Sequence, residues 1–135
     1  MANSTLKSIG AVIAGIVTTI IVTTAVDVVL HLAKVFPPMD QPITDRLALL
    51  ATSYRIVISI GAAYLTAALA PGRPMWHAML LGYVGTVLGL IGVFATWNLG
   101  LGPRWYSIAL AVLAIPQCWV GGRLYERRLR SRITR

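Results

Sequence analysis

The sequence is poor in the residues from which catalytic and metal sites are usually built. Its 135 residues include one cysteine, two histidines and four acidic residues. The single cysteine, Cys118, excludes a disulfide within the chain, and its apolar surroundings favour a small packing residue. The sequence has no carboxylate pair, no nucleophile with a neighbouring base and no glycine-rich phosphate loop. It therefore gives no support for an enzyme, and we expect no catalytic residues, no cofactor and no metal ligands.

Charged residues are also scarce, at 12%, whereas 57% of the residues are hydrophobic. Charges are rarest in four long apolar stretches, at residues 9–32, 47–69, 78–97 and 105–124. Each stretch holds about 20 residues or more, which is enough to cross a ~30 Å hydrocarbon layer at ~1.5 Å per residue. The pattern predicts an all-α fold. We expect one integral membrane domain over residues 1–135, a bundle of four transmembrane helices in contact with the lipid bilayer.

The first apolar stretch follows Lys7, as the apolar region of a signal peptide would. With more than twenty residues it is too long for that region, and it carries Asp27 near its end. Residues 23–25 also form a poor cleavage site. We therefore expect a retained first helix.

Turn and cap residues separate the apolar stretches. Pro37 and Pro38 stop the first helix, because proline lacks the backbone amide that a helix needs. Thr44 is predicted to cap the second helix, with Asp45 at the positive end of its dipole. Residues 70–74 (APGRP) predict a tight turn between the second and third helices.

Basic residues concentrate on one side of the predicted spans. With the amino terminus in the cytoplasm, three lie outside, namely Lys34, Arg46 and Arg104. Eight lie inside, namely Lys7, Arg73, Arg123, Arg127, Arg128, Arg130, Arg132 and Arg135. Since cytoplasmic segments carry an excess of lysine and arginine, both termini are predicted to be cytoplasmic.

Two structures are compatible with the basic cytoplasmic tail, residues 125–135. If the fourth helix continues past Leu124, then Leu129 and Ile133 lie on the membrane while the arginines extend to the headgroups. The alternative is a frayed, solvated tail. Either tail attracts anionic headgroups, by about 1 kcal/mol per basic residue near the surface. Because only Tyr125 interrupts the arginines as an aromatic residue, we expect no nucleic-acid partner.

Four glycines of the third span, Gly82, Gly85, Gly89 and Gly92, share one helix face at spacings of three, four and three. Such small-x3-small patterns allow two helix backbones to approach closely. The pattern predicts a helix-packing face. Its partner is either another helix of the same bundle or a second copy of the chain in a homodimer, and the spacing does not separate the two.

Polar residues within the spans form a second candidate site. Asp27 and His31 lie one turn apart on the first span, and Tyr54 and Arg55 lie in the second. Asp27 and Arg55 have similar predicted depths, so we expect an ion pair in the outer half of the bundle, with Tyr54 and His31 nearby.

The predicted pair has two interpretations. In the structural one, each charge neutralises the other and joins two neighbouring helices. In the active one, Asp27 changes protonation in a proton- or substrate-coupled site and His31 acts as a relay. A permanently charged arginine opposes the active interpretation, because it favours the carboxylate. Arg55 extending alone to the interface is a third alternative.

Five short runs stand out together along the chain, at residues 54–55 (YR), 69–78 (LAPGRPMWHA), 95–98 (ATWN), 101–106 (LGPRWY) and 121–123 (GGR). On these runs the chain resembles a group of small bacterial inner-membrane proteins with four helices. That group has no established activity, so the resemblance implies only architecture and an inner (plasma) membrane location.

In size the chain is also similar to the small multidrug-resistance exporters, which are dimers of four-helix subunits. Their signature is a mid-membrane glutamate in the first helix, and this chain has no acid there because Asp27 lies near the outer end. We therefore expect a non-enzymatic protein with a structural or accessory role in a membrane assembly. The alternative is a small transporter, or a transporter subunit, that works as an oligomer.

Overall fold

The structure, a computed structural model, describes residues 2–134. Over that range it consists of four α-helices, namely α1 (Ala2–Leu32), α2 (Asp45–Leu69), α3 (Pro74–Thr96) and α4 (Arg104–Ile133). All four are long and apolar enough to cross a membrane. The predicted all-α fold with four span-length helices is confirmed, and this architecture is typical of a multi-pass membrane protein.

α2 begins two residues before its predicted apolar stretch, and the other three helices extend further beyond theirs. α1 begins at Ala2 rather than residue 9, α3 begins at Pro74 rather than residue 78, and α4 continues to Ile133 rather than ending at residue 124. Hydropathy reports where lipid-like surface ends, whereas a helix continues until a stop signal is reached. Pro74 fits at the first helical position because its missing amide needs no partner there. The tail is therefore helical, not frayed, through Ile133.

Cap chemistry explains the ends that the sequence placed correctly. The Leu47 amide donates to the Thr44 hydroxyl at 3.4 Å, so the predicted N-cap of α2 is confirmed. Two residues after the end of α1, Lys34 adopts the left-handed conformation (φ 60°). The Val35 amide donates to the Leu30 carbonyl at 2.9 Å. This six-to-one bond is the Schellman motif that closes many helices.

The helices form a bundle in which α1 and α4 occupy opposite corners. α4 packs on α2 and α3, α1 packs on the same two helices, and α2 also contacts α3. Over the described range the backbones of α1 and α4 do not approach each other closely. The loops before α2 and α4 meet at one end, here called the loop end. The first residues of α1, the 70–73 turn and the last residues of α4 lie at the other, here called the terminal end.

Small side chains lie inside the bundle, and large apolar side chains lie on its outer surface. The buried core consists largely of alanines, with Cys118 and the fully buried Thr66 among them. Many large apolar side chains lie outside, including Val57, Ile91 and Phe94, which is 82% exposed. A water-soluble protein rarely exposes so much contiguous apolar surface, whereas lipid-facing helices do.

Candidate functional site

Asp27 of α1 forms an ion pair with Arg55 of α2 in the half of the bundle nearer the loop end. Arg55 Nη2 lies 2.7 Å from Asp27 Oδ2, and both side chains are about a quarter exposed. The Tyr54 hydroxyl donates a hydrogen bond to the other carboxylate oxygen, Oδ1. Both oxygens of Asp27 are therefore occupied by groups from α2. The structure brings together three of the four predicted residues, Asp27, Tyr54 and Arg55.

Asp27 and Arg55 meet because they lie at nearly the same depth. A methyl group on Gly15 of α1 would collide with the Thr66 hydroxyl of α2, which sets the two helices level there. From these residues Asp27 lies twelve residues further along α1, and Arg55 lies eleven residues back along α2. By helical rise these separations are about 18 Å and about 16.5 Å.

His31 is turned away from the carboxylate. Its Nδ1 lies 2.7 Å from the Asp27 backbone carbonyl, and its ring packs edge-on against Phe36 at 5.4 Å between centroids. A carbonyl oxygen only accepts, so Nδ1 carries the proton in this contact. Among the hydrogen bonds of residues 2–134, none joins His31 to the Asp27 side chain. The relay proposed for His31 therefore has no direct link to the acid.

Tyr106, in the first turn of α4, is a further member of this region that the sequence interpretation did not include. It is half-buried and lies close enough to Asp27 and Arg55 to interact with both charges. Arg55 Nε is buried and has no hydrogen-bond partner over the described range. The sequence carried no signal for Tyr106, because an aromatic residue at a span end is also the ordinary interfacial pattern.

Two further polar contacts hold α1 closer to the terminal end. The Thr66 hydroxyl donates to the Ala11 carbonyl at 3.1 Å, and His77 Nε2 lies 2.9 Å from the Ser8 hydroxyl. His77 Nδ1 also lies 3.0 Å from the Arg73 carbonyl, on its own helix end. His77 is buried, and its contact with Ser8 gives it a partner on α1.

The predicted glycine face packs against α4 over most of its length. A methyl group placed on Gly82 would lie 3.1 Å from Cys118 Cβ, and one on Gly89 would lie 2.8 Å from Ala111 Cα. Gly85 approaches Ala114 in the same way, whereas Gly92 has no atom within 4 Å. Three of the four glycines therefore pack within the bundle, and Gly92 lies outside that contact.

Further along α4, two adjacent glycines pack closely on α2 and on α3. A methyl group on Gly121 would collide with the Ile60 carbonyl oxygen and would lie 2.7 Å from Ala63 Cβ of α2. One on Gly122 would lie 2.9 Å from Ala78 Cβ of α3. We call this contact of α4 with α2 and α3, centred on Gly82, Gly85, Gly89, Gly121 and Gly122, the glycine seam.

Two cavities lie near these contacts. One of about 140 Å³ lies between all four helices and is lined mainly by apolar side chains, with Thr19, Ser59 and Gln117 as its polar members. Another of about 380 Å³ opens at the loop end beside Arg104 and Tyr106. Neither cavity is lined by Asp27 or Arg55. Over residues 2–134 no three His, Cys, Asp or Glu side chains are grouped closely enough to hold a metal ion.

No family model matches this chain, and comparison with curated proteins and with solved structures finds no significant similarity.

Proposed function

We propose that this chain is a multi-pass protein of a bacterial inner membrane with both termini in the cytoplasm. The apolar outer surface and four span-length helices support insertion. The terminal end carries Lys7, Arg73 and the arginines of α4 from Arg123 to Arg132, whereas Lys34, Arg46 and Arg104 lie at the loop end. That imbalance supports the orientation, because positive charge is retained on the cytoplasmic side.

Within that membrane we propose a non-enzymatic accessory role, in which the bundle packs with or assists another membrane component. The pairing of Asp27 carries the proposal. Both carboxylate oxygens are occupied by Arg55 and Tyr54, so the polar group joins α1 to α2. A substrate-coupled acid is expected to line a cavity that the substrate can enter. Neither cavity described above is lined by this acid.

Gly92 supports the same role. It has open space beside it and lies next to Ile91 and Phe94, which are exposed. A helix of a second membrane protein, or of a second copy, has room to approach α3 there. The homodimer therefore belongs to this proposal as one form of the assembly.

Affinity purification tests the accessory role. Washed membranes containing the tagged chain are cross-linked, extracted in mild detergent and analysed for mass and for co-purifying membrane proteins. We expect a defined complex with a partner, or a dimer, that a tagged four-helix membrane protein of equal abundance does not give. A monomer with the same background proteins as that control contradicts the accessory role. Recovery of the chain in the supernatant before extraction contradicts membrane insertion.

A small transporter or transporter subunit is the second candidate. The cavity of about 140 Å³ favours a transporter, because Thr19, Ser59 and Gln117 place polar groups between the four helices. Cys118 lines the same cavity and is the single cysteine, so a small water-soluble thiol reagent reports directly on water there. Labelling of Cys118 from one side of the membrane would favour transport over the accessory role.

A further inference from the structure

α4 extends well beyond the end of its neighbour α2. Gly121 of α4 lies against the backbone of α2 between Ile60 and Tyr64, which sets the two helices level there. From the middle of that segment, at residue 62, α2 continues for seven residues to Leu69, whereas α4 continues from Gly121 for twelve residues to Ile133. By helical rise these lengths are about 10.5 Å and about 18 Å. More than the last turn of α4 therefore projects beyond α2 at the terminal end.

On the side that faces α2, the last turns of α4 form one wall of a half-open cavity of about 350 Å³. Its α4 wall consists of Tyr125, Arg128, Leu129 and Arg132. These residues share one helix face at spacings of three and four. Tyr64 and Ala68 of α2 form the opposite wall.

Contacts between the two walls fix the position of one guanidinium. Arg128 Nη1 donates to the Tyr64 hydroxyl at 3.0 Å. The rings of Tyr64 and Tyr125 meet edge-on, with 5.5 Å between centroids. The Arg128 guanidinium therefore lies beside this aromatic pair.

The cavity carries positive charge that the neighbouring acid does not neutralise. Glu126 is the acidic residue of this part of the chain, and it lies 3.6 Å from Arg123, three residues earlier. Within residues 2–134, neither Arg128 nor Arg132 forms an ion pair. Like charges four residues apart on a helix repel each other, so an anion between them removes a repulsion and gains two attractions.

We propose that this cavity binds the phosphate of an anionic phospholipid, an inference that rests on the proposed membrane insertion. Arg128 and Arg132 bind the phosphate oxygens, and Tyr64 positions Arg128. Arginine suits this task because its planar fork matches phosphate geometry. Ala68 and Leu129 supply an apolar border along which the glycerol and acyl chains leave the site. Basic pockets between helices at the cytoplasmic surface are a known type of headgroup site.

Paired arginine variants separate a defined site from general attraction by the tail. Arg128→Gln with Arg132→Gln removes both cavity arginines. Arg127→Gln with Arg130→Gln removes the same charge from the same turns, at exposed positions outside the cavity. Each variant is purified in detergent, its helix content and unfolding temperature are checked, and its binding of added phosphatidylglycerol is measured by native mass spectrometry.

We expect the cavity variant to bind phosphatidylglycerol roughly 10-fold more weakly than the wild type, which corresponds to about 1.4 kcal/mol. We expect the control variant to stay within about 2-fold of the wild type, because its arginines contribute only general attraction. Equal losses in the two variants, or no loss in either, overturn the defined site. Membrane insertion is read separately from the washed-membrane fraction, so a failure of the site is not confused with a failure of insertion.

Two ligand arms identify the source of the phosphate. Phosphatidylcholine, which is zwitterionic, is expected to bind the wild type and both variants equally. Soluble glycerol phosphate, added at the concentration of the lipid, is expected to leave phosphatidylglycerol bound. Displacement of the lipid by glycerol phosphate would overturn the lipid assignment and indicate a soluble phosphate compound.

Discussion

α4 and α1 are attached to the same two helices, α2 and α3, by close packing and polar contacts in different proportions. α4 packs through the five glycines of the glycine seam and adds hydrogen bonds, such as the one that the Thr86 hydroxyl donates to the Ala111 carbonyl at 3.0 Å. α1 approaches both helices closely at Gly15 and adds polar contacts at Ser8, at the Ala11 carbonyl and at Asp27. The bundle thus contains one interface dominated by shape and one that includes an ion pair between helices.

On the proposed membrane insertion, lipid as the solvent explains why both kinds of contact occur. Between lipid-exposed helices apolar burial gives little driving force, because lipid chains are as apolar as leucine. Helices in lipid therefore associate by close backbone packing or by hydrogen bonds and charges. The glycine seam therefore spreads its energy over many weak contacts, whereas the attachment of α1 adds a few stronger polar contacts to its packing at Gly15.

The largest effect is expected at the glycine seam. Gly121→Ala introduces a methyl group against the Ile60 carbonyl and Ala63, and these atoms belong to the backbone or lie next to it and cannot move independently. We expect a loss of about 3 kcal/mol in the free energy of unfolding, measured in detergent. Gly92→Ala is the control, because its methyl group meets open space. Equal destabilisation by the two changes would contradict an interface built on shape.

The ion pair between α1 and α2 is expected to have the next largest effect. Asp27→Asn leaves the Arg55 charge unpaired, and we expect the free energy of unfolding in detergent to fall by about 2 kcal/mol. The loss is smaller than for a fully buried pair because both side chains are partly exposed. Adding Arg55→Gln removes the stranded charge and should restore expression and most of the stability.

Asp40→Asn, at an exposed loop position, is the control for this pair. A double variant as unstable as the sum of the two single changes would argue against the structural interpretation.

The smallest effect is expected at the hydrogen bond between Thr66 and the Ala11 carbonyl of α1. Thr66→Val removes the hydroxyl that donates to the Ala11 carbonyl while keeping nearly the same shape in a fully buried position. We expect a loss of about 0.6 kcal/mol, typical of one interhelical hydrogen bond in a membrane protein. Thr24→Val, at an exposed position of α1, serves as the reference. If hydrogen exchange in α1 is the same in both variants, the bond does not help to hold this helix.

Much of the fold was predictable because long apolar stretches admit few structures. Backbone groups without water must bond within a helix, so four apolar stretches predicted four helices. The N-cap at Thr44 and the turn at residues 70–73 followed from local chemistry that needs no tertiary information. The first turns of α1 and the last turns of α4 did not follow, because polar helix and polar coil look alike in hydropathy.

The candidate site was predictable only where one property decided the contact. The predicted depths of Asp27 and Arg55 were close enough for a long side chain to join them. The direction of His31 depended on competition between a side chain and a nearby backbone carbonyl, and Tyr106 belongs to a third helix. The glycine spacing alone also did not predict how far the contact between α3 and α4 extends. Gly92 of the predicted face therefore lies outside the contact. These details depend on the packing of the assembled bundle.

The distance along the chain between Asp27 and Arg55, 28 residues, also constrains how the protein is made. When the first helix leaves the ribosome, its carboxylate has no counter-ion, and release into lipid at that moment would place a lone acid in hydrocarbon. The cost falls once the second helix arrives with its guanidinium. On the proposed insertion, the first two helices therefore enter the bilayer together as a hairpin, and the biosynthetic machinery must hold the first until the second has been synthesised.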